Sequence, residues 1–125
     1  MRFVLISGSR EFIDMDRAFD ELDKIVEFIK LESETDEVTI VTSGSKGAEY
    51  VGRQYANQYD YELLELKPEW DIHGKSAGYI NHRRLVNKAS DVIILKTGPC
   101  KITDNLVSLA RSKDINVYIV PVRKA

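Results

Sequence analysis

Residues 38–47, VTIVTSGSKG, decide the fold of this chain. A β-branched run stops at a turn of small residues, and a helical pattern begins directly after it at Ala48. A strand, a short turn and a helix in this order are typical of the βα units of a parallel sheet. Such a turn also directs backbone N–H groups and the positive end of a helix dipole to one point, which favours an anion. The alternative is an ordinary βα turn that binds nothing.

The same alternation of apolar runs and helical patterns continues along the rest of the chain. We predict strands at residues 2–7, 38–42, 61–66, 91–95 and 116–120, and helices at 15–31, 46–59, 76–89 and 103–112. Residues 68–74 have no regular pattern. The third strand alternates in polarity, so we place it near an edge of the sheet. These elements predict an α/β fold, a Rossmann-like, doubly wound, mainly parallel five-stranded sheet with helices on both faces.

Local patterns predict how three of the helices begin or pack. Asp14 is placed to cap the first helix, and Thr103 or Asp104 to cap the last. In the helix at 76–89, the spacing predicts a buried side made of Ala77, Ile80, Leu85 and Val86.

Composition limits the class of protein. At 125 residues, with 43% hydrophobic and 30% charged residues, the chain is expected to form one domain, 1–125. A net charge of −2 gives no global attraction to nucleic acid. The one cysteine, Cys100, excludes an intramolecular disulfide and favours a reducing compartment. No apolar run reaches membrane-spanning length and the first strand is too short for a signal peptide, so we expect a cytoplasmic protein that contacts no membrane.

The loops after strands one, two and four all contain glycine. In doubly wound sheets ligands bind at the carboxyl ends of the strands, so these loops are expected to share one rim. Arg10 follows the first strand, and its guanidinium suits a phosphate or carboxylate; the alternative is a surface arginine paired with Glu11 or Asp14. Hydroxyl groups on the same rim come from four serines, Ser7, Ser9, Ser43 and Ser45.

Other motifs give weaker indications of a binding or catalytic site. Residues 73–76, HGKS, lack the earlier glycine of a P-loop, because that position is Glu69. No metal site is predicted from His73, His82 and Cys100, which do not share ligand spacing, and no cofactor is indicated.

Three aromatic side chains are suited to stacking on a base: Trp70, Tyr79 and His82. For Trp70 the alternative is core packing or a cap on the loop. Glu49 and Asp104 are the carboxylates best placed for ribose hydroxyls or acid–base work, and the alternative for each is a cap or a first-turn charge on its helix.

Several of these motifs occur in a known order. GSREF at 8–12 with Asp14, SGSKGAE at 43–49, P-x-W at 68–70, GK-x-AG at 74–78 and ASD at 89–91 closely resemble the SLOG superfamily. The chain is most similar to its short YspA-type branch, related to LONELY GUY phosphoribohydrolases and to the Rossmann domain of DNA-processing protein A. The resemblance implies a Rossmannoid domain that binds a nucleotide or nucleotide derivative. Related domains often self-associate, which implies a homo-oligomer.

The residues and the resemblance together predict the ligand site. Its members are Gly8, Ser9, Arg10, Ser43, Gly44, Ser45, Lys46, Gly47, Glu49, Trp70, Lys75, Asn81, Gly98, Thr103 and Asp104. Two positions depart from the pattern that the resemblance implies. Asn81-His82 stands where Arg-Asn is usual, and the glycine-rich loop before Thr103 reads Pro-Cys-Lys-Ile.

A third departure bears on function. In the LONELY GUY hydrolases a catalytic glutamate follows the threonine by three positions, and here that position is Leu106. A leucine cannot stabilise the oxocarbenium-like state of N-glycosidic cleavage. We therefore expect a sensor or sequestering protein that binds a nucleotide-type ligand. One alternative is an N-glycosidase acting on nucleoside 5′-monophosphates, with Glu49 or Asp104 in the catalytic role. The other is single-stranded nucleic-acid binding through Lys75, Tyr79, His82, Arg83 and Arg84.

Overall fold

The computed structural model describes the backbone of residues 1–125 and the side chains of residues 1–101 and 103–125. The strands are β1 (Arg2–Gly8), β2 (Val38–Thr42), β3 (Glu62–Glu65), β4 (Asp91–Lys96) and β5 (Asn116–Pro121). The helices are α1 (Met15–Ser33), α2 (Ala48–Gln58), α3 (Trp70–His73), α4 (Ala77–Lys88) and α5 (Lys101–Ser112). A 3₁₀ turn, Gly74–Ser76, joins α3 to α4.

The five strands form one sheet in the order β3-β2-β1-β4-β5, and every neighbouring pair is parallel. Val4 of β1 pairs with Ile40 of β2 on one side and with Asp91 of β4 on the other. The strand order therefore reverses between β1 and β4. This confirms the predicted Rossmann-like sheet and places β3 at an edge.

Two apolar clusters cover the two faces of the sheet. Val4 and Ile6 pack with residues of α1 and α2 on one face, including Leu22. On the other face, Leu5 packs with residues of α4 and α5, including Leu85. Alternate residues of a strand point to opposite faces, so one apolar run in β1 supplies both clusters. The predicted placement of helices on both faces is confirmed.

The structure corrects the predicted starts of α2 and α5 and the predicted cap of α1. α2 begins at Ala48 rather than at residue 46, because Gly47 has φ 79° and ψ −128°, which is not helical. α5 begins at Lys101 after an extended Cys100, so the prediction that Thr103 or Asp104 caps it is wrong. Asp14 does occupy the cap position of α1, but its side chain makes no capping hydrogen bond.

Two further expectations need correction. Residues 68–74, predicted as irregular, include the helical turn α3. Ile80 is only half-buried, and the buried positions of α4 are Ala77, Asn81, Leu85 and Val86. Among the helices that the structure describes, none combines the length and the apolar character needed to cross a membrane.

Candidate functional site

A small cleft opens at the carboxyl ends of the central strands, beside the point where the strand order reverses. Its enclosed volume is about 30 Å³, and we call it the inner cleft. Seven of the predicted site residues line it: Gly8, Arg10, Ser43, Ser45, Glu49, Asn81 and Thr103. They come from the end of β1, from the loops after β1 and β2, and from α2, α4 and α5. The loops after the first two strands thus meet at this cleft as expected, whereas the loop after β4, residues 97–100, contributes no lining residue.

Glu49 is the buried carboxylate of the inner cleft. It lies in the first turn of α2 and is 8% exposed. Its carboxylate accepts hydrogen bonds from the backbone N–H and the hydroxyl of Ser43. Burial raises the pKa of Glu49, while the Ser43 hydrogen bonds and the nearby charges of Arg10 and His82 act in the opposite direction. Such a group can accept hydrogen bonds from ligand hydroxyls or, when protonated, donate one.

Arg10 is exposed at the mouth of the cleft. Its guanidinium makes no hydrogen bond or ion pair with any residue whose side chain the structure describes. The alternative pairing with Glu11 is not observed, because Glu11 binds Lys124 at 2.7 Å and accepts a hydrogen bond from Thr97 at 2.8 Å. The five donors of Arg10 are thus left available for an anion.

Ser9 and Gly47 hold the loops of the site together. The Ser9 N–H donates a hydrogen bond to the Leu95 carbonyl. Its hydroxyl accepts one from the Thr97 N–H, and its carbonyl accepts one from the Ala48 N–H, all at 2.8–3.0 Å. Gly47 has φ 79°, and a Cβ there would lie 2.2 Å from the Ser9 carbonyl oxygen. These two residues therefore support the site by joining three loops and do not line the inner cleft.

Four other predicted site residues lie outside the lining of the cleft. Gly44 faces Glu65 and Lys67 near the sheet edge, and Lys46 is exposed. Gly98 has open space around it. The Asp104 carboxylate is 3.5 Å from the Lys96 ammonium and is 65% exposed. Of the two carboxylates considered for chemistry, only Glu49 lines the inner cleft.

One stripe of α4 forms the wall opposite Glu49. Gly78, Asn81, His82 and Leu85 all line the cleft. The Asn81 amide donates to the Leu66 carbonyl at 2.6 Å, and the His82 Nδ1 lies 2.9 Å from the Asn105 Oδ1. Only Asn81 of this stripe belonged to the predicted ligand set. The helical spacing i, i+3, i+4, i+7 was the signal that could have added the others.

Leu106 of α5 also lines the inner cleft and is 1% exposed. The position that carries a catalytic glutamate in the LONELY GUY hydrolases is therefore inside this cleft and apolar. Pro68 completes the side nearest β3.

A second depression, the outer hollow, adjoins the cleft. It has a volume of about 140 Å³ and shares Arg10, Gly78 and His82 with the inner cleft. Two predicted site residues line it, Trp70 and Lys75, together with Tyr79. Trp70 is 53% exposed, so the alternative of core packing is not observed.

Metal binding has no support in the part of the chain with described side chains. No group of three or more His, Cys, Asp and Glu residues within that part is close enough to hold an ion.

Sequence comparisons place the chain among known proteins. It is 29% identical over 99 residues to the Gene 61 protein of Mycobacterium phage D29, an alignment that spans 75% of each chain. A family model described as "YspA, cpYpsA-related SLOG family" matches residues 2–73, which is more than half of the chain. That range carries Arg10, Glu49 and Trp70, and SLOG membership is consistent with nucleotide-related binding at a coarse level. The chain therefore belongs to the YspA, cpYpsA-related SLOG family.

Proposed function

We propose that the protein binds a nucleotide or a nucleotide-derived small molecule in the inner cleft and acts as a sensor or sequestering protein. One observation carries the proposal. The Arg10 guanidinium, which has no partner among the described side chains, stands at the mouth of a cleft whose wall holds the buried carboxylate of Glu49. A cation suited to phosphate and an acceptor suited to sugar hydroxyls are thereby held side by side.

Backbone donors of the second loop add to this support. Within the described part of the chain, no hydrogen bond uses the N–H groups of Ser45, Lys46 and Gly47, which precede α2. Three successive N–H groups at the start of a helix favour an anion. Ser45 also lines the inner cleft, so this loop and Arg10 are available to the same ligand.

Leu106 favours binding over hydrolysis. Cleavage of an N-glycosidic bond develops positive charge on the sugar, and a carboxylate near that charge lowers the barrier. A buried leucine in the cleft provides no such stabilisation.

Calorimetric titration against nucleoside mono-, di- and triphosphates, cyclic nucleotides and ADP-ribose tests the proposal. We expect at least one class to bind, and we expect Arg10→Ala to weaken that binding by roughly 10- to 100-fold, the effect of one charge-assisted contact. Arg17→Ala, an exposed arginine of α1, is the matched control and should bind as the native protein does. Absence of binding across the whole panel would contradict the proposal.

A second candidate, an N-glycosidase acting on nucleoside 5′-monophosphates, is favoured by Glu49 alone. Its burial, its raised pKa and its place in the cleft suit a proton donor to a leaving base. Chromatography of bound nucleotides after incubation distinguishes the two. Free base that appears with the native protein and not with Glu49→Gln would establish the hydrolase, whereas recovery of intact ligand supports the sensor.

We also propose that the protein is a homo-oligomer with the site near the subunit interface. The inner cleft and outer hollow are small beside the roughly 300–1,000 Å³ of most ligand pockets, so one chain covers only part of a nucleotide. Phe12 and Ile72, close in sequence to Arg10 and Trp70, are 72% and 70% exposed. Light scattering during size-exclusion chromatography measures the mass, and a single 14.3 kDa species at every concentration would contradict this.

A further inference from the structure

The outer hollow adjoins the inner cleft and combines aromatic with basic side chains. It is lined by Arg10, Trp70, Lys75, Gly78, Tyr79 and His82. Two of its aromatic side chains are about half exposed, Trp70 at 53% and Tyr79 at 55%. The rings of Tyr79 and His82 meet edge to face, with centroids 6.1 Å apart. Aromatic side chains gathered in this way at an opening are suited to a flat apolar partner.

Trp70 is held at this hollow by a short element. It begins α3, and none of the four residues of that helix is buried. The indole edge approaches α4 at Gly78, where a Cβ would lie 3.8 Å from its Cη2 atom. The ring is therefore supported at one edge while much of its surface remains in contact with water.

Space decides which part of a nucleotide can enter the inner cleft. Its volume is about 30 Å³, the smaller of the two openings. We therefore assign the smaller polar groups of the ligand, its hydroxyls, to the inner cleft. The outer hollow, at about 140 Å³, offers several times that volume.

Charge keeps the phosphate away from the floor of the inner cleft. The buried carboxylate of Glu49 would repel a phosphate placed directly against it, whereas it accepts hydrogen bonds from sugar hydroxyls. Arg10 borders both the inner cleft and the outer hollow. A phosphate is thus better placed at the shared rim near Arg10, which leaves the outer hollow for the base.

We propose that the outer hollow holds the planar base of the ligand, stacked on Trp70, while the sugar hydroxyls enter the inner cleft toward Glu49. This inference rests on the proposed nucleotide binding and adds an orientation to it. It makes Trp70 a binding residue for the base and predicts that the protein distinguishes a nucleotide from the same sugar phosphate without its base.

The experiment uses the fact that Trp70 is the one tryptophan of the chain. The probes are AMP, GMP, CMP, UMP and ribose 5-phosphate, which lacks a base. Nucleotides that bind should quench the tryptophan fluorescence, and ribose 5-phosphate should not. By calorimetry, Trp70→Ala should weaken nucleotide binding by roughly 5- to 150-fold, the range for one base–aromatic stack, and leave ribose 5-phosphate unchanged.

Control variants separate stacking from folding. Trp70→Phe retains an aromatic face and should recover most of the nucleotide affinity. Phe28→Ala removes another aromatic ring of similar exposure, 48%, which borders Arg2 and Asp91 at the opposite end of the sheet, and should bind as the native protein does. Circular dichroism and thermal unfolding report whether each variant is folded.

The outcomes separate this inference from the function on which it rests. If nucleotides bind equally well to the native protein and to Trp70→Ala, the stacking proposal is overturned and nucleotide binding stands. The stacking proposal is also overturned if Trp70→Ala weakens ribose 5-phosphate binding as much as it weakens AMP binding. If no probe binds to the native protein, nucleotide monophosphate binding and the stacking proposal both fail.

Discussion

At the scale of one residue, Glu49 shows how a group in the inner cleft can lower the stability of the folded protein. Its carboxylate is buried against Ser43, where desolvation makes the charged form costly. The Ser43 hydrogen bonds and the nearby Arg10 guanidinium reduce this cost without removing it. A carboxyl group buried at such a cost is a candidate for a functional role, in line with the proposed ligand binding.

Replacement of Glu49 by glutamine should change how stability depends on pH. The pKa of Glu49 is raised above 4.5 in the folded protein, so the folded state binds the proton more tightly than the unfolded chain. Glu49 therefore contributes least to the free energy of unfolding at high pH. This contribution is lost as the pH rises from about 4.5 through the raised pKa of the folded state. Glu49→Gln should remove that loss, and its stability relative to the native protein should increase with pH in denaturant titrations.

An exposed carboxylate provides the control for this experiment. Glu62 of β3 is exposed, and Glu62→Gln should leave the pH profile of stability as it is in the native protein. A Glu49→Gln profile that parallels the native one would show that burial does not govern this group.

Gly8 tests how tightly the loop after β1 is packed. It has φ 143°, and a Cβ would lie 2.0 Å from the Leu95 carbonyl oxygen. Gly8→Ala should therefore destabilise the protein by about 3 kcal/mol or more, because the conformation is strained and the obstacle is backbone. Gly98→Ala is the matched control, since nothing lies within 4 Å of its added Cβ. Chemical denaturation measures both, and equal stabilities would refute the packing argument.

At the scale of elements, α2 is positioned by its close approach to the sheet. Gly52 lies inside this helix, and a Cβ there would be 2.9 Å from the Ile6 Cβ and 3.3 Å from the Thr42 Cγ2. The absence of a side chain allows the helix to approach β1 and β2. Since Glu49 lies one turn earlier in α2, this approach also sets the depth of the carboxylate in the inner cleft.

Gly52→Ala should destabilise the protein although alanine is the better helix former. Alanine gains about 1 kcal/mol in helix propensity, but an extra methyl group in a filled core costs about 1–3 kcal/mol. We expect a net loss of up to about 2 kcal/mol in urea unfolding. Asn57→Ala, an exposed position of the same helix, should be neutral or slightly stabilising. A Gly52→Ala protein more stable than the native one would show that α2 can move away from the sheet at little cost.

At the scale of the whole molecule, the two ends of the sheet have different roles. The carboxyl ends of the strands carry the cleft, and the amino ends are tied by Asp91. Its carboxylate lies 2.8 Å from the Arg2 guanidinium and accepts the Ser90 hydroxyl at 2.9 Å. The Asn116 amide lies 3.5 Å away, so β1, β4 and β5 meet at one buried charge. The ASD motif at 89–91 thus joins strands of the sheet at the end opposite the inner cleft.

Asp91→Ala should lower stability without affecting ligand affinity. Removal of the carboxylate leaves Arg2 without its partner and breaks charge-assisted hydrogen bonds, each contributing about 1.5–3 kcal/mol. Arg2 is 30% exposed, so water can hydrate its guanidinium once the carboxylate is removed. We therefore expect the free energy of unfolding to fall by about 2–3 kcal/mol in total. Asp36→Ala, on an exposed loop, should change stability by less than about 0.5 kcal/mol. Loss of ligand binding in a folded Asp91→Ala protein would contradict this division of roles.

The sequence by itself determined the α/β class, the order of strands and helices, the parallel sheet and the family. These follow from apolar periodicity and turn residues, which act over a few positions and are visible in the chain. It also indicated that Arg10 and Glu49 lie on one rim of the sheet, because Arg10 follows the first strand and Glu49 follows the turn after the second strand. The start of α5 was missed, since Cys100 and Lys101 carry no capping signal.

Only the tertiary structure decided which of the predicted residues share a cleft. Asp104 lies near Lys96 rather than in the cleft, and Ser9 forms hydrogen bonds that join three loops. Leu106 and His82 line the cleft from elements distant in sequence. The half-exposed position of Trp70 likewise depends on how α3 rests on α4 at Gly78. Such neighbours are set by the packing of helices on two faces of one sheet, and contacts between residues so far apart leave no periodic signal in a single sequence.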